Sequence, residues 1–298
     1  MKKISYVTVL LFIVILFLAD PHSAVADGAL PTHDTVAAPT KRGRIRNPLI
    51  AESSGLARSA RWPDVFWTHN DSGHPPRLFA IRGDGTTVTN RRTGFSGILV
   101  AGAGSVDWED IAIDDQGTLI IGDIGNNVSS RTMLTLYRVR EPDPFKAAKT
   151  EPAEKKDIYF PDSPSRAWNC EALFWAGGRT YLLTKQRGGI KTGLYVVNGG
   201  PTQKAQSLVK IGAFDFGASV TAADASPDGR LLAVLTYNAV WLFEGPPDGN
   251  NYFNGKRSVF PFHIRQTEAL CFDRDRILIG NEGGDLFELD TRAFTPHR

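Results

Sequence analysis

One hairpin recurs along this chain, and the recurrence restricts the fold more than composition does. In "WEDIAIDDQGTLIIGDIGNN" an apolar strand begins at Glu109, turns at Asp115-Gln116-Gly117 and returns to Asp123. "CEALFWAGGRTYLLTKQ", "VTAADASPDGRLLAVLTYN" and "TEALCFDRDRILIGNEG" have the same form, and "SSGLARSARWPDVFWTHNDSG" is a first copy with a longer turn. Each continues into a third strand, as in "RLFAIRGDG", "LTLYRVREP", "GLYVVNGG", "AVWLFEGPPDG" and "DLFELDT", and most into a fourth, such as "AEKKDIYF". No stretch shows a helical stripe of apolar residues at three-and-four spacing. Four antiparallel strands repeated at about 40–50 residues describe a β-propeller blade.

The expectation is therefore an all-β chain folded as a five-bladed propeller, with six blades the alternative because Thr86 to Ser105 is loosely patterned. The last copy reaches Asp290 with only eight residues left, so its fourth strand has to come from elsewhere. "RIRNPLI", Arg44 to Ile50, lies where the other blades have that strand. This predicts a ring closed by the N-terminal strand, leaving no open edge.

Registered on their turns, the copies place Ser54, Glu109, Glu171, Thr221 and Glu268 at one position, separated by 55, 62, 50 and 47 residues. First strands line the channel of a propeller, so one such position per blade makes a ring. Three carboxylates there repel each other unless protonated or neutralised. A hard cation answers that demand, and calcium takes six to eight oxygen ligands. The other reading is that these residues cap exposed backbone groups in a wet pore. A multi-carboxylate cage favours calcium over magnesium, and zinc is disfavoured because no His or Cys sits in the ring.

The hydroxyl-bearing first and fourth copies, with Glu in the other three, resemble the soluble calcium-activated nucleotidases, the apyrases. The opening "ESSGLA…WTHNDSG…LFAI" is similar in layout to that family's first blade. The resemblance implies a five-bladed propeller with a pore calcium, and makes Ser54, Glu109, Glu171, Thr221 and Glu268 candidate ligands. The "SGLA" and "EAL" openings also look like those of phytase-like and strictosidine-synthase-like propellers.

Second strands end at Asn70-Asp71, Asp123, Lys185, Tyr237 and Asn281-Glu282, at the same mouth as the beginnings of the first strands. Asp71 or Asp123 is a candidate general base, and Lys185, with Arg131 or Arg187, a candidate for holding a phosphate or carboxylate. Asn70, Tyr237 and Asn281 are candidate substrate contacts. For Asp, Asn and Gly at strand ends, turn formation is the competing role. Lys185 has no such role, since "LLTKQ" lacks a turn residue there and a lysine ending an apolar run needs a partner. His69 and His74 flank the first hairpin and rank lower as ligands.

Lys2 and Lys3 precede an apolar run from Ile4 to Ala19, and Ala24-Val25-Ala26 supplies a small-x-small site. Residues 1–26 are read as a secretory signal, with an uncleaved anchor as the alternative. Residues 27–43 are read as a flexible leader and 44–298 as one propeller domain. Without Lys2, Lys3 and Asp20 the 34 basic and 32 acidic side chains become 32 and 31, which gives no electrostatic case for nucleic acid or a membrane surface. Two cysteines, Cys170 and Cys271, are too few for a disulfide framework. The six tryptophans fall on or beside strands and are expected to pack between blades. The functional expectation is a secreted or periplasmic calcium-dependent hydrolase of a phosphorylated or anionic small molecule. The alternative is a non-catalytic module that binds an extracellular protein or glycan, with no membrane span after signal cleavage.

Overall fold

A computed structural model describes residues 38–163, 168–185, 191–198, 205–245 and 250–297. The signal segment and Arg187 lie outside the described residues. Strand β1 is Thr40–Arg44. A first unit follows, with β2 (Ser53–Arg58), β3 (Phe66–Asn70), β4 (Arg77–Ile81) and β5 (Ile98–Leu99). The next contains β6 (Trp108–Ile113), β7 (Thr118–Asp123), β8 (Leu134–Arg140) and β9 (Glu154–Tyr159). Then come β10 (Cys170–Ala176), β11 (Arg179–Thr184), β12 (Thr192–Val197) and β13 (Gln206–Phe214). They are followed by β14 (Val220–Ala225), β15 (Leu231–Thr236), β16 (Ala239–Glu244) and β17 (Arg257–Pro261). The last unit holds β18 (Thr267–Asp273), β19 (Arg276–Asn281) and β20 (Asp285–Asp290), and β21 (Thr295–Pro296) runs along β17. Among the described residues the only helices are two single 3-10 turns.

Within each unit consecutive strands pair antiparallel, and a short parallel contact of β13 with β9 joins two units into one eight-stranded sheet. The first strands form a cycle: β2 lies beside β6, β6 beside β10, β10 beside β14, β14 beside β18, and β18 beside β2. This is a β-propeller, with first strands around an axis. Each hairpin turn has its local cause. Asp114 Oδ1 accepts from the amides of Gln116 at 2.9 Å and Thr118 at 2.8 Å, while Gly117 takes the left-handed φ of +75° that a side chain would disfavour.

Separate apolar cores fill the gaps between units. Trp67, Leu78, Trp108, Ile111 and Leu119 bury together between the first two. Between the third and fourth, Phe174 and Tyr181 form one aromatic group and Phe214, Trp241 and Phe243 another. Three of the six tryptophans, Trp67, Trp108 and Trp241, are buried as expected of blade packing.

The ring closes through β1, which pairs antiparallel with β20 from Thr40↔Glu288 to Arg44↔Asp285. The closing strand is thus Thr40–Arg44 and not Arg44–Ile50, and the segment expected to be flexible as far as Gly43 is ordered into strand from Thr40. Ion pairs fix this register: Lys41 reaches Asp285 at 2.7 Å, and Arg42 reaches Asp273 at 2.9 Å and Glu288 at 3.3 Å. The loosely patterned Thr86 to Ser105 contributes only the two-residue β5. No helix among the described residues is long and apolar enough to cross a membrane.

Candidate functional site

The first strands carry a bulge where the sequence places its ring. Trp108 pairs with Asp123 and Asp110 with Gly122, so Glu109 has no opposite number. Glu171, Thr221 and Glu268 are skipped in the same way on β10, β14 and β18, and on β2 the irregularity falls between Ser54 and Ala57. A bulge re-aims its side chain out of the pleat.

The five ring residues then divide by chemistry. Ser54 Oγ donates to the Glu109 carbonyl at 2.6 Å, and Thr221 Oγ1 to the Thr267 carbonyl at 2.7 Å, so both hydroxyls tie neighbouring first strands together. Glu109 and Glu171 are buried and Glu268 is half-buried. Glu171 accepts from Asn169 Nδ2 at 2.6 Å and pairs with Lys185 Nζ at 3.0 Å. Burial still raises Glu171, although Lys185 opposes it. Burial works to lower Lys185, but Glu171 outweighs it and keeps the ammonium charged. Glu268 is pushed up to about 8, first by burial and then by Glu171, while Tyr237 hydrogen-bonds to it. Burial and Glu268 raise the Tyr237 phenol in turn.

Glu109 Oε1 is a buried carboxylate oxygen without a hydrogen-bond partner; Glu141 Oε2 is another, but the second oxygen of Glu141 accepts from Trp67 Nε1. Glu109 belongs to a cluster in which one carboxylate oxygen each from Asp71, Asp107 and Glu109 lies within 4.8 Å of the others. Burial, then Glu171, Asp71 and Asp107, push Glu109 well above the usual range. Asp107 is pushed up to about 6 by burial and the neighbouring carboxylates, and burial raises Asp71 as well. The room for this crowding is made by Gly125, where a Cβ would lie 2.1 Å from Glu109 Oε1 and 2.4 Å from the Asp107 carboxyl carbon.

Asp107 was not among the sequence candidates, since "SVDWED" sets it before the strand and outside the repeat. Asp123, a candidate base, holds it in place. The Asp123 carboxylate accepts from the amides of Val106 at 3.2 Å and Asp107 at 3.1 Å, pairs with Arg131 at 2.9 Å, and is 1% exposed. Arg131, a candidate substrate contact, also donates to the carbonyls of Asp123 and Gly125. Both are occupied in fixing the loop. Asn70 bonds Glu52 N and Leu49 O, and Asn281 Oδ1 accepts from Asp285 N, which are turn roles. Tyr237, at 40% exposure, and Asp71 remain at the mouth.

Asp110, next to Glu109, was also missed. Its Oδ2 accepts from the amides of Leu173 at 3.0 Å and Ala223 at 3.2 Å, bridging β6 to β10 and β14, and burial raises its carboxyl well above the usual range. His69 is wholly buried, with Nδ1 bonded to the Asn70 carbonyl, and burial lowers its imidazole to about 4. Half-buried His74 lies in the turn after β3 and bonds the Ser72 carbonyl.

The cluster fits a hard cation in its donor set and spacing. Ligand oxygens held at about 2.3–2.6 Å from one ion stand at most ~5 Å apart, and the three carboxylates meet that limit. A positive charge would also compensate an otherwise unpartnered buried carboxylate.

No family model and no curated protein matches the sequence. Among solved structures, a gluconolactonase from Xanthomonas campestris aligns at 14% identity over 85% of this chain and 96% of its own, with a TM-score of 0.47. A catalytically inactive virginiamycin B lyase from Staphylococcus aureus, solved with quinupristin, aligns at 11% identity over 83% of this chain and 97% of its own, with a TM-score of 0.43. The extracellular domain of a putative hybrid two-component system from B. thetaiotaomicron aligns at 14% identity over 79% of this chain and 27% of its own, with a TM-score of 0.38. At these values none of the three bears on what this chain acts on.

Proposed function

We propose that this chain is a five-bladed propeller of a secreted or periplasmic protein, released by removal of residues 1–26, that holds a calcium ion at Asp71, Asp107 and Glu109 and hydrolyses a small anionic molecule there. The observation that carries the reading is Glu109 Oε1, a buried carboxylate oxygen with no partner, set among two further carboxylates in a space that Gly125 keeps open. This ligand set differs from the ring that the apyrase resemblance implies. Ser54 and Thr221 give their protons to backbone carbonyls, and Asp107 enters from outside the repeat.

Bound calcium would supply Lewis acidity toward a phosphoryl or acyl oxygen and acidify a water. The chain's own groups do the rest. Lys185, kept charged by Glu171, stands beside the cluster to meet negative charge that grows during reaction. Glu268, protonated near neutral pH and oriented by Tyr237, is equipped to give a proton to a leaving group.

The test is thermal unfolding with chelator and with excess calcium, for wild type, Glu109→Gln and Gly125→Ala, followed by turnover of 4-nitrophenyl phosphate and acetate. A ligand at a hundred times its Kd adds about 2.7 kcal/mol, and both variants should lose that gain. Calcium stabilisation that survives in both would move the ion elsewhere. Ion binding without turnover of any anionic ester would leave a non-catalytic binding module.

A further inference from the structure

Beside the acidic mouth, between the β15–β16 turn and the loop from β17 to β18, lies a recess of about 660 Å³ lined by Tyr237, Phe262, His263, Ile264 and Arg265. The loop from β17 to β18 is anchored at both ends. Phe262 is 1% exposed and its amide donates to the Asn238 carbonyl at 2.9 Å. At the other end of the loop the Glu282 amide donates to the Gln266 carbonyl at 3.0 Å, and the Gln266 side chain bonds the Glu282 carboxylate. Gln266 itself holds a left-handed φ of 53°, unusual for a residue with a side chain and concentrated at binding sites and tight turns. Anchored loop ends reduce the entropy lost when a ligand enters.

Its chemistry is unlike that of the mouth. Around the carboxylates the basic groups are already ion-paired, Lys185 with Glu171 and Arg131 with Asp123. In the recess His263 and Arg265 are exposed and have no ion-pair or hydrogen-bond partner among the described residues. Tyr237 and Ile264 line the same recess and supply apolar surface. Tyr237 also joins the two regions, since it lines the recess and its side chain hydrogen-bonds Glu268, which lies near Glu171 and Lys185.

We propose that this recess is a substrate subsite that takes a planar apolar body bearing a carboxylate or phosphate, with the body against Tyr237 and the anion on Arg265. This rests on the hydrolase reading only for the name of substrate; the binding chemistry belongs to the recess alone. A molecule so seated would extend past Tyr237 toward Glu268 and the carboxylate cluster. The substrate class is therefore an aromatic or similarly flat molecule with an anchoring anion separate from the bond that is cleaved.

The probe is phenylphosphonate, which has a flat body and a dianion and no bond to hydrolyse, titrated calorimetrically into the full chain with chelator present. Wild type should bind it. Arg265→Glu, an exposed loop substitution, should weaken binding about tenfold or more, as loss of a charge-assisted contact and its reversal require. Tyr237→Phe, which keeps the ring, should bind as wild type, and Tyr237→Ala should not. Glu109→Gln should leave the affinity unchanged, so the subsite stands or falls separately from the cation. Equal affinity for wild type and Arg265→Glu would overturn the proposal. So would no phosphonate binding at millimolar concentration, or preferential binding of benzylamine, which would mark the recess as a site for cations.

Discussion

Asp107→Asn isolates the electrostatic load of the mouth, because it removes a charge with little change of shape. The folded protein holds the Asp107 carboxyl at about 6 against an ordinary 3.8, first through burial and then through its acidic neighbours. Below pH 3.8 the group is protonated folded and unfolded, and costs nothing. As pH rises from 3.8 to 6 the unfolded chain gives up the proton first, so stability falls, and above 6 the full cost is present. A shift of about 2 units corresponds to at most ~3 kcal/mol, and partial exposure of the side chain brings this to roughly 1–3 kcal/mol. For a chain of this size that is roughly 2–10 °C in Tm. In chelator, then, Asp107→Asn should unfold several degrees above wild type at pH 8 and together with it at pH 4. In excess calcium the order should reverse at pH 8, because only wild type gains from the ion. Thermal unfolding followed by circular dichroism at the two pH values, with and without calcium, gives all the comparisons. A variant that is less stable than wild type in chelator at both pH values would refute the reasoning, since Asp107 would then be a structural acceptor in a mouth carrying no electrostatic load.

Two other perturbations test the frame around the cluster. Lys185→Met leaves Glu171, whose side chain is 4% exposed, buried without its cation, at a cost of about 3–5 kcal/mol. The loss should be largest above neutral pH, shrink as the pH falls and Glu171 protonates, and be largely restored by adding Glu171→Gln; urea unfolding across a pH series would expose a pH-independent loss, which would contradict the pairing. Deleting the chain through Arg44 strips β1 from β20, leaving an unpaired edge and Glu288 without Arg42. We expect a loss of roughly 2–5 kcal/mol from the ladder bonds, with concentration-dependent association in sedimentation velocity, and an unchanged midpoint would show that β1 does not close the ring.

The sequence was most informative wherever the physics is local or repeated. Apolar alternation with Asp-Gly and Gly-Gly turns is a short-range signal, and its recurrence gave the strand order and the shared position of Ser54, Glu109, Glu171, Thr221 and Glu268. A closing strand from the N-terminal side was also expected, and β1 pairs with β20. Its register was misplaced by a few residues because the pairing is decided by Lys41 and Arg42 meeting Asp285, Asp273 and Glu288, acids more than 200 residues away. The one site signal that a closer reading of the repeat holds is the bulge position itself, since an extra residue per copy is countable once strands are registered.

Which acids are free was settled only in three dimensions. By sequence Asp123 ends a strand where a base is expected, and Asp107 sits in a glycine-rich loop. In the fold Asp123 is consumed by two amides and Arg131, and by that consumption it delivers Asp107 to Asp71 and Glu109. Ser54 and Thr221 share a register with the glutamates, yet their short side chains reach the neighbouring strand's carbonyl first. The sequence by itself therefore determined the repeating sheet and the one position per unit that Ser54, Glu109, Glu171, Thr221 and Glu268 share. The tertiary structure decided which carboxylates lack partners, because a buried oxygen is satisfied or left bare by groups that folding brings from other units, and no local pattern records that meeting.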